Sequence, residues 1–157
     1  MSSSVSSIEK ITIKMKLTVF SDGGARGNPG PAACGYVIYD EDSALVKSDG
    51  IYIGETTNNQ AEYKALIYAL DFINTKLKGT YDSLEVDCYL DSELVVKQLK
   101  REYKVKNPDM IPLFEKTRNL VIEIGGVVFF THIPREKNKE ADRLVNQAID
   151  RVMYLKN

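Results

Sequence analysis

Histidine and cysteine are scarce in this chain. There is one histidine, His132, and there are two cysteines, Cys34 and Cys88. They form no Cys-x-x-Cys pair and no spacing with His132 that would suit a metal centre. The two thiols read as small buried residues in a reducing compartment. Long apolar runs are also missing. No segment approaches the roughly 18 consecutive apolar residues of a membrane-spanning helix, so no membrane partner is expected. No apolar h-region stands near the N-terminus, so the cytoplasm is the expected location. An excess of one charge is missing too. Lys plus Arg number 21 and Asp plus Glu number 22, giving a formal net charge of -1. That balance excludes a generally basic nucleic-acid binder. A polyanion would have to be met by a local basic patch or by a metal ion.

What is present fits one globular domain. The chain has 157 residues, 43% of them apolar and 27% charged. A serine-rich segment at 1–10 reads as a flexible tail, and 11–157 as a single domain, expected as a monomer. Ile11, Ile13, Met15, Leu17 and Val19 alternate with polar residues, which predicts a first strand ending near Asp22. A glycine- and proline-rich loop at 23–31 follows. Two more apolar runs, Ala32 to Tyr39 and Leu45 to Ile53, complete a three-strand meander. The spacing then turns helical through Leu66, Leu70, Ile73 and Leu77, stopping near Gly79. A strand from Leu84 to Leu90 leads into a short helix with Leu94, Val95 and Leu99 on one side. A helix over Ile111 to Glu123, a strand over Val127 to Ile133 and a last helix over Lys139 to Leu155 finish the pattern. The order β-β-β-α-β-α-α-β-α predicts a mixed α/β sheet with helices covering it.

Four acids occupy positions that matter. Asp22 ends the first strand, and Asp91 follows the fourth. Glu62 and Asp142 fall near the starts of two helices, on the same stripe as buried apolar residues. Each has an ordinary reading alone. Asp22 suits a turn and Asp91 an N-cap, while the other two complement a helix dipole. The dipole does not explain why Glu62 faces the core, where a carboxylate needs a partner or a cation. If the strands are adjacent, the four acids converge at one sheet edge. Clustered acids raise one another's pKa values, and a hard divalent ion relieves them. Two such ions about 3.5–4 Å apart suit in-line phosphoryl displacement.

The loops add polar groups. SDGGARGNPGP at 21–31 matches neither a Walker A loop nor G-x-G-x-x-G, but its glycines permit close backbone approach. The segment Thr56-Thr57-Asn58-Asn59-Gln60 precedes the Glu62 helix. Asn58 or Asn59 is a natural N-cap, and the remaining amides suit contact with bases or sugars.

These pieces, with LDSELVVKQL at 90–99 and PREKNKEAD at 134–142, make the chain similar to type 1 ribonuclease H over about residues 16–150. The resemblance implies a ribonuclease H-like fold: a five-stranded mixed sheet, three antiparallel strands then parallel ones, flanked by helices. It implies hydrolysis of the RNA strand of RNA/DNA hybrids with two Mg²⁺ ions, or Mn²⁺ in their place, leaving 3′-hydroxyl and 5′-phosphate ends. It assigns metal ligation to Asp22, Glu62, Asp91 and Asp142, with Asp22 bridging both ions and Glu62 also near the RNA 2′-hydroxyl. It matches Asn28, Asn58 and Asn59 to hybrid contacts.

Three departures stand out. Glu93 replaces a glutamine that contacts RNA in many members. The basic segment after Leu99 is short, although Lys97, Lys100, Arg101, Lys104 and Lys106 suit phosphates and Tyr103 suits a sugar. The family's mobile histidine corresponds either to His132 or, with a gap, to Arg135, and Arg135 is favoured because it lies in the loop. A hybrid-binding module without turnover, or another nuclease of the wider superfamily, is the alternative.

Overall fold

Alternating apolar residues lay down a central strand on which everything else is assembled. The computed structural model describes residues 14–156. The serine-rich tail, Ile11 and Ile13 lie outside the described residues. Strand β1 spans Lys14–Ala25, with Leu17, Val19 and Ser21 buried in one row. β2 (Gly30–Tyr39) pairs antiparallel with it, and β3 (Leu45–Thr56) pairs antiparallel with β2. β4 (Ser83–Leu90) runs parallel to β1 on its other side, and β5 (Val127–His132) runs parallel to β4. The order is β3-β2-β1-β4-β5. The expected five-stranded mixed sheet is therefore present.

Among the described residues, four α-helices cover the two faces. These are α1 (Asn58–Phe72), α2 (Glu93–Leu99), α3 (Ile111–Ile124) and α4 (Lys139–Lys156). Leu66, Leu70 and Ile73 pack with Leu17, Val19, Val86 and Cys88 in the main core, which Leu120 and Ile124 of α3 extend. The Cys34 thiol donates to the carbonyl of Ala61 on α1, whereas its neighbour Ala33 packs on Val145, Ala148 and Ile149 of α4. Alternation along β2 thus sends α1 and α4 to opposite faces.

Several boundaries differ from the sequence-based expectation, each for a local reason. The glycine loop is shorter than 23–31. Strand pairing continues through Ala25↔Ala32, and Arg26 N donates to Pro31 O at 2.8 Å. Thr57, not an asparagine, caps α1, accepting from Gln60 N. Ser92, not Asp91, caps α2, accepting from Val95 N. On α2 the buried residues are Val95, Val96 and Gln98, while Leu94 is exposed; Tyr63 Oη donates to Gln98 Oε1 at 2.7 Å. The periodic stripe ending at Leu77 is not one α-helix. Ile73–Leu77 forms a π turn, in which Lys78 N–H donates to Ile73 O. Leu77 still packs against the core.

Gly35 and Gly50 let α4 lie directly on β2 and β3. A Cβ on Gly35 would stand 2.4 Å from Ala141 O, and one on Gly50 would stand 2.7 Å from Leu144 O. Both obstacles are helix backbone, which cannot rotate away. A Cβ on Gly79 meets nothing within 4 Å. Gly35→Ala is expected to lower the thermal midpoint by roughly 3–10 °C, from an overpacking cost of about 1–3 kcal/mol. Gly79→Ala is expected to leave it within about 2 °C. Differential scanning calorimetry of the two variants checks this.

Candidate active site

Strand register brings the first two acids together. Ser21 of β1 pairs with Leu90 of β4 in the parallel ladder. Asp22 and Asp91 are the next residues along two adjacent parallel strands. They therefore meet at the carboxyl end of the sheet, where α/β folds commonly place ligands. Asp91 is free for this because Ser92 has taken the helix cap.

Close packing of α1 brings the third. A Cβ on Gly23 would lie 2.1 Å from the Ala61 carbonyl carbon, so only glycine lets the helix sit on the strand there. That contact places Glu62 beside Asp22, and Gly23 N donates to Glu62 Oε1 at 3.2 Å. One carboxylate oxygen from each of Asp22, Glu62 and Asp91 lies within 4.8 Å of the others. Asp142, in the first turn of α4, is outside that set but lines the same cleft of about 370 Å³. Its amide donates to Asn138 O at 3.1 Å.

The acids raise one another's affinity for protons. Burial pushes the Asp22 carboxyl up to about 7; a hydrogen bond with Glu62 opposes the rise, and the charges of Asp91 and Asp142 add to it. Glu62 is held well above the usual carboxylate range, first by burial and then by the Asp22 charge. Glu62 Oε2 is buried without a hydrogen-bond partner. Among the described residues, no lysine or arginine forms an ion pair with any of the four. Hard oxygen donors, one of them orphaned, fit a divalent cation such as Mg²⁺ or Mn²⁺.

The other candidates divide between the cleft and its surroundings. Asn58, Asn59 and Arg135 line the cleft, whereas His132 is exposed at the end of β5 and does not. The Asn28 and Asn58 side chains lace two loops together. Ala25 N donates to Asn58 Oδ1 at 2.8 Å, and Asn58 N donates to Asn28 Oδ1 at 3.0 Å. Glu93, Lys100 and Lys104 are exposed outside the cleft lining, and Glu93 stands 3.8 Å from Lys97 Nζ. Tyr103 is exposed with the Lys97 ammonium 5.0 Å from its ring centre.

Sequence reasoning missed Asn138. It is buried, and its amide donates to Ser21 O at 2.9 Å and to Asp91 Oδ2 at 3.3 Å. It ties the start of α4 to both acid-bearing strands. The one available signal was an asparagine just before the last helix, a common capping position that carries no hint of a contact across the fold.

A pH effect on stability follows. In the unfolded chain Asp22 ionises near 3.8, and in the folded chain near 7. Between those values the folded state binds more protons, so stability falls as pH rises through that window. Without divalent metal, Asp22→Asn is expected to melt several degrees above the unaltered chain at pH 8, with the difference shrinking towards pH 4. Melting curves in EDTA across pH 4–8 check the sign.

Comparison with known proteins agrees with this geometry. The family model described as reverse transcriptase-like matches residues 20–148. A bifunctional protein of Mycobacterium tuberculosis is 40% identical over 137 residues, covering 87% of this chain and 36% of that protein. The chain thus spans about a third of the length of this relative. Ribonuclease HI of Halobacterium salinarum is 39% identical over 135 residues, covering 86% of this chain and 65% of the relative. A solved structure of LC11 ribonuclease H1 in complex with an RNA/DNA hybrid superposes with a TM-score of 0.82 at 46% identity, covering 87% of this chain and 99% of that one. With the family model spanning most of its length, the chain belongs to the type 1 ribonuclease H family.

Proposed function

We propose that the chain is a metal-dependent endoribonuclease that hydrolyses the RNA strand of RNA/DNA hybrids, leaving 3′-hydroxyl and 5′-phosphate ends. The observation that carries this reading is the convergence of Asp22, Glu62 and Asp91 within 4.8 Å, with Asp142 in the same cleft. The solved relative bound to an RNA/DNA hybrid supports the substrate class. The free thiols Cys34 and Cys88 suit the reducing cytoplasm in which we place the reaction.

Asp22, Glu62, Asp91 and Asp142 would hold two Mg²⁺ ions, or Mn²⁺ in their place. Such ions, when bound, supply positive charge to the scissile phosphate and ease deprotonation of water. The protein's own part is to fix the geometry. Asn138 restrains Asp91, and Gly23 N restrains Glu62. Arg135, in the 3-10 turn Arg135–Lys137, lines the cleft and would meet substrate phosphate there. The lacing of Asn28 to Asn58 holds the two loops that flank the cleft, so Asn59 is presented at its edge. Recognition of the 2′-hydroxyl would separate RNA from DNA in the cleaved strand.

A gel assay with labelled hybrid, duplex DNA and branched DNA tests this. Cleavage of the hybrid RNA strand alone is expected, abolished by EDTA and restored by Mg²⁺. Asp22→Asn and Asp91→Asn are each expected to lower the rate by about 100-fold or more. A hybrid that is bound but left intact would make the chain a binding module, and preferential cleavage of branched DNA would move it elsewhere in the superfamily.

The exposed lysines give a second test. Replacing Lys100 and Lys104 together by alanine is expected to raise KM several-fold at low salt and leave kcat nearly unchanged. The log–log salt dependence of hybrid affinity should flatten by about one unit of slope for each phosphate that a removed ammonium had neutralised. An unchanged slope would remove both lysines from the hybrid interface.

A further inference from the structure

We propose that Arg26, on the β1–β2 hairpin, is a positioning residue for Asp142 and acts through Asn146 of α4. The inference rests on the reading of the four acids as metal ligands.

The hairpin holds Arg26 firmly. Its N–H donates to Pro31 O at 2.8 Å, and a Cβ on Gly30 would stand 2.1 Å from Arg26 O. From there the guanidinium reaches across to α4. Nη1 lies 2.6 Å from Asp150 Oδ1, and Nη2 donates to Asn146 Oδ1 at 3.2 Å and to Asn146 O at 3.4 Å. The two residues are 120 apart in sequence. Asn146 Nδ2 in turn donates to Asp142 Oδ1 at 3.3 Å and to Asp142 O at 3.0 Å.

The direction of this chain follows from donor chemistry. A guanidinium has only donors, so it selects the carbonyl end of the Asn146 amide. The amide can then present only its NH₂ end to Asp142, one helical turn away. Arg26 therefore fixes which end of Asn146 the carboxylate meets. The charge of Arg26 is taken up by Asp150 rather than by Asp142. Asp142 Oδ1 receives a neutral N–H, which restrains that oxygen without setting a cation against the carboxylate. A direct arginine pair would compete with a cation for the same group. Asp142 is the acid most in need of such restraint, since it comes from the α4 layer and stands outside the tight set of three.

A simple clasp between hairpin and helix would leave metal binding untouched. The two cases separate when Mn²⁺ binding to the metal-free full chain is measured by electron paramagnetic resonance, alongside hybrid kinetics and thermal midpoints. Arg26→Ala and Asn146→Ala are each expected to weaken Mn²⁺ binding by about tenfold and to lower kcat, with KM for hybrid within about twofold. The double variant should be no worse than Asn146→Ala alone. Arg26→Lys keeps a donor and should recover most of the loss. Asp150→Asn should lower the midpoint as Arg26→Ala does, yet leave Mn²⁺ affinity within about twofold. If Arg26→Ala lowers the midpoint but leaves Mn²⁺ affinity unchanged, or if Asp150→Asn weakens Mn²⁺ as much, the positioning role is wrong while the metal reading survives. If the unaltered chain binds no Mn²⁺, both fall.

Discussion

Like charges forced together at the end of a sheet are the constraint on which this molecule turns. Three carboxylates share a space 4.8 Å across, and a fourth faces them from another layer. Water is largely excluded from two of them, since Asp22 and Glu62 are buried. Holding such a set together is costly, because each ionised acid makes the next one harder to ionise. The structure meets the cost with protons when no cation is present, which is why the Asp22 carboxyl stays protonated up to near neutrality. A divalent ion would replace those protons and turn a local weakness into a binding site.

The fold is arranged to hold that set. β1 is central to the sheet, and both of its neighbours are needed. Its parallel partner β4 delivers Asp91, while its antiparallel partner β2 supplies the glycine floor for α4. Glycine matters at two contacts for opposite faces. Gly23 admits α1 and hence Glu62, and Gly35 admits α4 and hence Asp142. Neither helix could approach closely enough over a side chain. The near-neutral charge of the chain also acquires a meaning. The acids of the site offset basic residues elsewhere, so the formal count misstates what a phosphate would meet once cations are bound.

Much of this was readable in the sequence, for definable reasons. Period-two and period-3.6 patterns are local, so the main strands and helices and their order came out as expected. The four acids were legible because they sit where those patterns end, at Asp22 and Asp91, or where an acid shares a buried stripe, at Glu62 and Asp142. Caps were not. Thr57, Asn58, Ser92 and Asp91 are all competent N-caps, and only tertiary contacts decide that Asn58 is wanted by Ala25 N and Asp91 by its neighbours in the cleft. Asn138 and the Arg26–Asn146 link were invisible for a related reason. Their partners lie 117 and 120 residues away, and nothing in the local pattern marks them.

Anomalous diffraction from crystals equilibrated with millimolar Mn²⁺ is the most direct measurement of whether the acid cluster is a metal centre. The expected result is anomalous density bounded by Asp22, Glu62 and Asp91, with Asp142 at its margin. Well-ordered carboxylates with no anomalous density between them, at a concentration that supports Mn²⁺ binding in solution, would contradict it.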